Sequence, residues 1–137
     1  MRELRANIKV EPVINPAAAI TDNTVQVGTS IDHQGFDSKV YSMHYGAIND
    51  AGLSVTPLLE ESDDDVTFTA VADNDMNSTE AAETVDETAD NTIRTLGYIG
   101  GKRYSRLTLT PAGNAADLFL SASCIQSNPW IAPTTQN

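Results

Sequence analysis

The sequence predicts an all-β protein: one antiparallel β-sandwich domain, jelly-roll-like, with an extended N-terminal arm. Three observations carry this. Apolar and β-branched residues alternate at period two in seven or eight short runs. Turn residues separate those runs at roughly ten-residue spacing, as sandwiches and jelly rolls require. No strand–helix–strand alternation occurs, which excludes a parallel nucleotide-binding sheet. The 137 residues suffice for one domain with its own core.

In chain order, 1–23 hold a single alternating run, Leu4, Ala6, Ile8 and Val10, closed by Pro12 and Pro16. This run fits an arm crossing to another chain or an edge strand of its own sheet. As an arm it is dispensable for folding. Residues 24–31 form a β-branched strand, and 32–35 (DHQG) a turn. Residues 36–48 form a long strand with Val40, Ser42 and His44 on one face and Tyr41, Met43 and Tyr45 on the other. Residues 53–61 form a strand that Pro57 moves toward an edge or bulge. Residues 66–72 alternate again. Residues 73–91 lose the alternation and predict an acidic loop with one helical turn near 80–83.

Strands at 92–99 and 103–110 flank Gly100-Gly101, which predicts a hairpin. A last strand covers 118–125, with Cys124 in phase with Leu120 and Ala122 as a small core residue. The sandwich thus spans 24–126, and 127–137 form a tail with two prolines and Trp130.

The net charge of −11 sets the chain against nucleic acid and anionic membrane. Twelve acids and no base lie between Glu60 and Asp90. No apolar run reaches the roughly 20 residues of a membrane helix, and the first residues lack the apolar stretch of a secretion signal. The single cysteine excludes an internal disulfide or a cysteine–zinc site and fits a reducing compartment.

Catalytic signatures are sparse. His33 lies in a turn and His44 in mid-strand, and no Gly-x-Ser-x-Gly elbow exists. The run 97–102 (GYIGGK) lacks phosphate-loop spacing. Lys102, Arg103 and Arg106 near Tyr98 and Tyr104 form a small basic patch, too weak against the overall charge to bind nucleic acid. Asp63–Asp65 and Asp73–Asp75 place oxygen ligands close together for calcium, without the EF-hand pattern. The reading is a protein with no enzymatic activity and no cofactor.

The run ITDNTVQVGTSIDHQGFDSKVYSMHYGAI resembles the opening of small proteins encoded by tailed bacteriophages and prophages. The stretch TIRTLGYIGGKRYSRLTLTPAGN is similar to that family's most specific segment, and LFLSASCIQSNPWIAP resembles its close. The likeness runs from about 20 to 133. It departs where the family commonly has His-Pro and a basic residue, because this chain has Asn128-Pro129 and Trp130.

The resemblance implies a structural virion component, most simply a capsid decoration (cement) protein on the outer surface of the head, made in the bacterial host cytoplasm. Its implied partners are the major capsid protein and copies of itself, as a homotrimer, with no nucleic acid and no membrane. Head-completion, tail and fibre-associated roles belong to the same class. A carbohydrate-binding sandwich is the alternative from another class, with Tyr41, Tyr45, Tyr98, Tyr104 and Trp130 as its platform. For contact with another chain the candidates are Arg2, Leu4, Arg5, Ile8, Lys9, Val10, Trp130 and Ile131. The first six interleave apolar and basic side chains, and the last two place large apolar groups in a Pro-bounded tail.

Overall fold

The computed structural model describes residues 3–136. Two antiparallel sheets face each other, and no α-helix occurs among the described residues. The first sheet runs β1 (Ile8–Ile14), β11 (Leu118–Pro129), β4 (Phe36–Ile48), β9 (Thr92–Tyr98) and β7 (Met76–Asn77). The second runs β2 (Gln26–Val27), β10 (Tyr104–Ala112), β5 (Ser54–Ser62) and β6 (Thr69–Ala70). Beside these, β3 (Ile31–Asp32) pairs with β10, and β8 (Val85–Asp86) with β5.

With β3, β7 and β8 set aside, the remaining strands follow jelly-roll order. The first, eighth, third and sixth form one sheet, and the second, seventh, fourth and fifth the other.

The pleat sorts the side chains as the alternation predicts. Tyr41, Met43 and Tyr45 of β4 point inward with Leu96, Tyr98, Ala122 and Cys124. They meet Val55, Leu59, Leu107 and Leu109 from the second sheet. Pro57 is fully buried inside β5 rather than at a sheet edge. On the outside of the first sheet, Val10, Ile125, Val40 and Gly97 form one row. Pro12, Ser123, Ser42 and Thr95 form the next, and Ser121, His44 and Ile93 the one beyond. None of these outward positions is charged.

Three further expectations change. The run at 8–14 is an edge strand of its own domain: Ile8 pairs with Ser127, Val10 with Ile125 and Pro12 with Ser123. Pro12 on this edge removes a donor that only a further strand would use. The sandwich therefore begins at Ile8. Deleting residues 2–10 removes the Ile8, Lys9 and Val10 pairings and uncovers Ile125 and Gln126. We expect it to cost roughly 2 kcal/mol, read as a lower urea midpoint.

The predicted hairpin at Gly100-Gly101 is an arch between sheets, because β9 pairs with β4 and β7, whereas β10 pairs with β5. A tight two-residue hairpin needs φ > 0, and neither glycine has it. Tyr98 fixes the arch instead, its hydroxyl accepting the Lys102 amide at 3.1 Å and donating to Glu61 at 2.8 Å.

The strand at 66–72 shrinks to Thr69–Ala70. Asp64 accepts the amides of Val66 and Thr67 and extends the turn through them. Those bonds hold its carboxyl at about 2. The 73–91 segment contains 3₁₀ turns at 73–75 and 87–89 and the short strands β7 and β8.

Candidate functional site

The two chain ends meet at one end of the first sheet. Antiparallel pairing of β1 with β11 brings Ile8 beside Ser127, so residues beyond each strand end are neighbours. The tail then folds back across β1. The Thr134 amide donates to the Ala6 carbonyl at 2.9 Å, and Thr134 Oγ1 and Gln136 Nε2 both donate to the Ile8 carbonyl, at 2.5 and 2.6 Å. These bonds cover the exposed edge at its start.

Most sequence-predicted contact residues therefore gather in one patch. Leu4, Arg5 and Val10 are exposed, Ile8 and Lys9 half-buried, and Arg2 lies outside the described residues. Trp130 is 68% exposed and Ile131 83%. A shallow groove of about 420 Å³ runs from Lys9 past Phe36 and Pro129 to Trp130 and Pro133. The indole is held out rather than packed. Its backbone amide donates to the Gly35 carbonyl at 2.9 Å, and Nε1 donates to Asp37 at 2.8 Å. Asn128, with φ of 55°, bends the chain just before it.

The basic patch does not form. Arg103 makes a bidentate pair with Asp32 at 3.0 and 2.7 Å, Arg106 pairs with Glu60 at 2.7 Å, and Lys102 with Asp63 at 2.5 Å. Each base is thus neutralised by a carboxylate of the acidic excess. The aromatic platform does not form either: Tyr41, Tyr45 and Tyr98 lie in the core, and Tyr104 lies beneath Arg103. Asp64 of the first Asp cluster caps a turn, and no three His, Cys, Asp or Glu converge on a metal position among the described residues.

A buried polar chain, missed in the sequence, crosses the core. Gln126 Oε1 can only accept, so His33 carries its proton on Nδ1 and donates there at 2.8 Å. Neutral His33 Nε2 then accepts from Ser105 Oγ at 2.5 Å, and Ser105 accepts from the Tyr41 hydroxyl at 2.7 Å. Gln126 Nε2 donates to Glu11 at 2.8 Å, and Glu11 pairs with Lys9 at 2.8 Å. Burial pushes His33 down to about 4, against a smaller upward pull from the Gln126 bond.

Ser105, His33 and Gln126 stand at the distances of a nucleophile, base and orienting group. Ser105 has no exposed surface, and a neutral amide does not stabilise an imidazolium as a carboxylate does. The chain therefore works as a clamp between β4 and β11 of one sheet and β10 of the other. Its sequence signal was the inward phase of Ser105 with Leu107 and Leu109, and of Gln126 with Ala122 and Cys124.

No protein-family model and no curated protein matches the chain. Among solved structures it is similar to the PBSX exported protein XepA, at 18% identity and a TM-score of 0.57. That match covers 93% of this chain and 40% of XepA. It is also similar to the SPBc2 prophage-derived protein YomS, at 6% identity and a TM-score of 0.38, covering 87% and 93% of the two chains. A family 22 carbohydrate-binding module of Clostridium thermocellum Xyn10B matches at 10% identity and a TM-score of 0.43, covering 91% and 88%. The XepA match, which spans two-fifths of that protein, is a likeness of fold: a β-sandwich shared with a longer chain.

Proposed function

We propose that this protein is a structural component of a tailed-bacteriophage virion, a decoration protein seated on the outer surface of the capsid. The observation that supports it best is the terminal patch. Two segments, each marked from sequence as a contact with another chain, lie more than 120 residues apart and form one surface on a rigid jelly-roll body. Trp130 and Ile131 supply its apolar centre, with Lys9 beside them and the Arg5 backbone bonded to Thr134 of the same tail. The segments that resemble phage proteins coincide with the central strands β4, β9, β10 and β11, so the resemblance covers the scaffold that presents the patch.

In this reading the acidic loops face outward and keep crowded copies apart. Three copies share a three-fold position of the shell, and the protein does no chemistry.

Quantitative mass spectrometry of purified virions tests this. We expect hundreds of copies per particle, released together with loss of shell stability. A handful of copies would instead place the protein at the connector, tail or fibre, and none would remove it from the virion.

A further inference from the structure

A second groove, of about 450 Å³, opens at the opposite end of the first sheet. Its floor is Ile93, Phe119 and the His44–Gly46 stretch of β4, and its wall is the Ile14–Ala18 segment. Ile93 is 58% exposed and Phe119 42%, and no charged side chain lines the groove. Around it the loops carry Asp22, Asp50, Asp90 and Asp117, with Arg94 the only base at this end among the described residues.

We propose that Trp130 and Ile131 of one copy seat in this groove on a second copy of the chain. Three observations point to that occupant. Trp130 and Ile131 are large, apolar and pre-positioned, so little ordering cost opposes their insertion. Lys9 beside them, and Arg5 where the tail crosses it at Thr134, meet the carboxylates around the groove, which lowers the repulsion between chains of net charge −11. Distance then excludes the same chain. Phe36 marks the Trp130 end of β4 and Gly46 the groove end, about 33 Å apart at about 3.3 Å per residue.

A knob on one end and a socket on the other make the contact heterologous, and a heterologous contact whose rotation closes builds a ring. Three copies in a ring fit a three-fold seat. The contact rests on the terminal patch being a contact surface, and only the count of three rests on the capsid role.

The test is sedimentation equilibrium on the full chain, on Trp130→Ala, on Ile93→Glu and on their mixture, with Phe119→Ala as a second groove variant. All three positions are exposed, and circular dichroism and the melting temperature report whether each variant folds. We expect the wild-type mass to rise with concentration toward three chains and each variant to lose at least tenfold in association constant.

The mixture decides the geometry. Trp130→Ala keeps its groove and Ile93→Glu keeps its knob, so together they form a one-to-one pair that cannot extend. A wild-type chain that stays monomeric at its solubility limit, folded variants that associate as wild type does, or a mixture that forms no pair would overturn the proposal. Capsid binding measured on the same variants keeps the two readings apart. Capsid binding without self-association sinks the ring alone, and self-association without capsid binding sinks the decoration role alone.

Discussion

Lowering the pH from 7 to below 4 will cost this fold about 3 kcal/mol through His33 alone. The ring is 3% exposed, and burial holds it near 4 in the folded chain against an ordinary value of 6.5. Between those two values the unfolded chain binds the proton and the folded chain does not. Stability therefore rises with pH across this window, and it falls as acid is added.

The directed hydrogen bonds say why. A second proton on Nε2 forces Ser105 to turn its hydroxyl away and breaks the order that begins at Tyr41. Lys39 opposes the charge, while Asp32 and Glu11 favour it by less than burial costs. The lowered carboxylates Asp22, Asp32, Asp50, Asp64 and Asp86 add to acid lability only below about 3.8, where their unfolded counterparts protonate. Urea unfolding at closely spaced pH values separates the two windows. His33→Gln, which cannot charge, is expected to be less stable at pH 7 yet flat from pH 7 to about 4.5. A wild-type curve equally flat there would mean that His33 protonates freely in the folded state.

The layers of this fold were legible because period-two alternation is a local signal. Residues 36–48 are one strand with the tyrosine face inward, as the pattern of Tyr41, Met43 and Tyr45 requires. Pairing was not legible, because partner choice is decided far along the chain. Gly100-Gly101 has hairpin composition, yet the buried Leu96 and Tyr98 on one side and Leu107 and Leu109 on the other fill opposite layers of one core. The strands must then separate rather than pair.

The terminal patch was half legible. Its residues stood out as apolar groups without a local core, but their proximity depends on β1 closing the sheet against β11. The His33 clamp was the least legible feature. His33, Ser105 and Gln126 sit in three distant segments, and only the fold makes them neighbours.

The same contrast between local signal and long-range packing makes glycine substitutions decisive. Gly28→Ala is expected to cost roughly 3 kcal/mol, lowering the melting temperature by about 10 °C. Gly28 lies between β2 and β3, where one backbone segment joins the two sheets. Its amide donates to the Leu107 carbonyl of β10 at 2.8 Å, and the Thr29 amide donates to the Val13 carbonyl of β1 at 2.9 Å. A Cβ at Gly28 would overlap the Leu107 carbonyl oxygen and Val13 Cγ1. The first is backbone in the middle of a paired strand, so it moves only if β10 shifts against β5. Space, not conformation, makes this glycine necessary.

Gly101 is the control. It looks structural in the sequence, but nothing lies within 4 Å of the position a Cβ would take, and its φ is one that any residue adopts. Gly101→Ala should leave stability unchanged or raise it by roughly 0.5 kcal/mol, because it restricts the unfolded chain more than the folded one. Thermal unfolding of the two variants side by side measures the difference. If Gly28→Ala melts with Gly101→Ala, the 28–29 segment does not hold the sheets together, and the edge between β1 and β10 must be open.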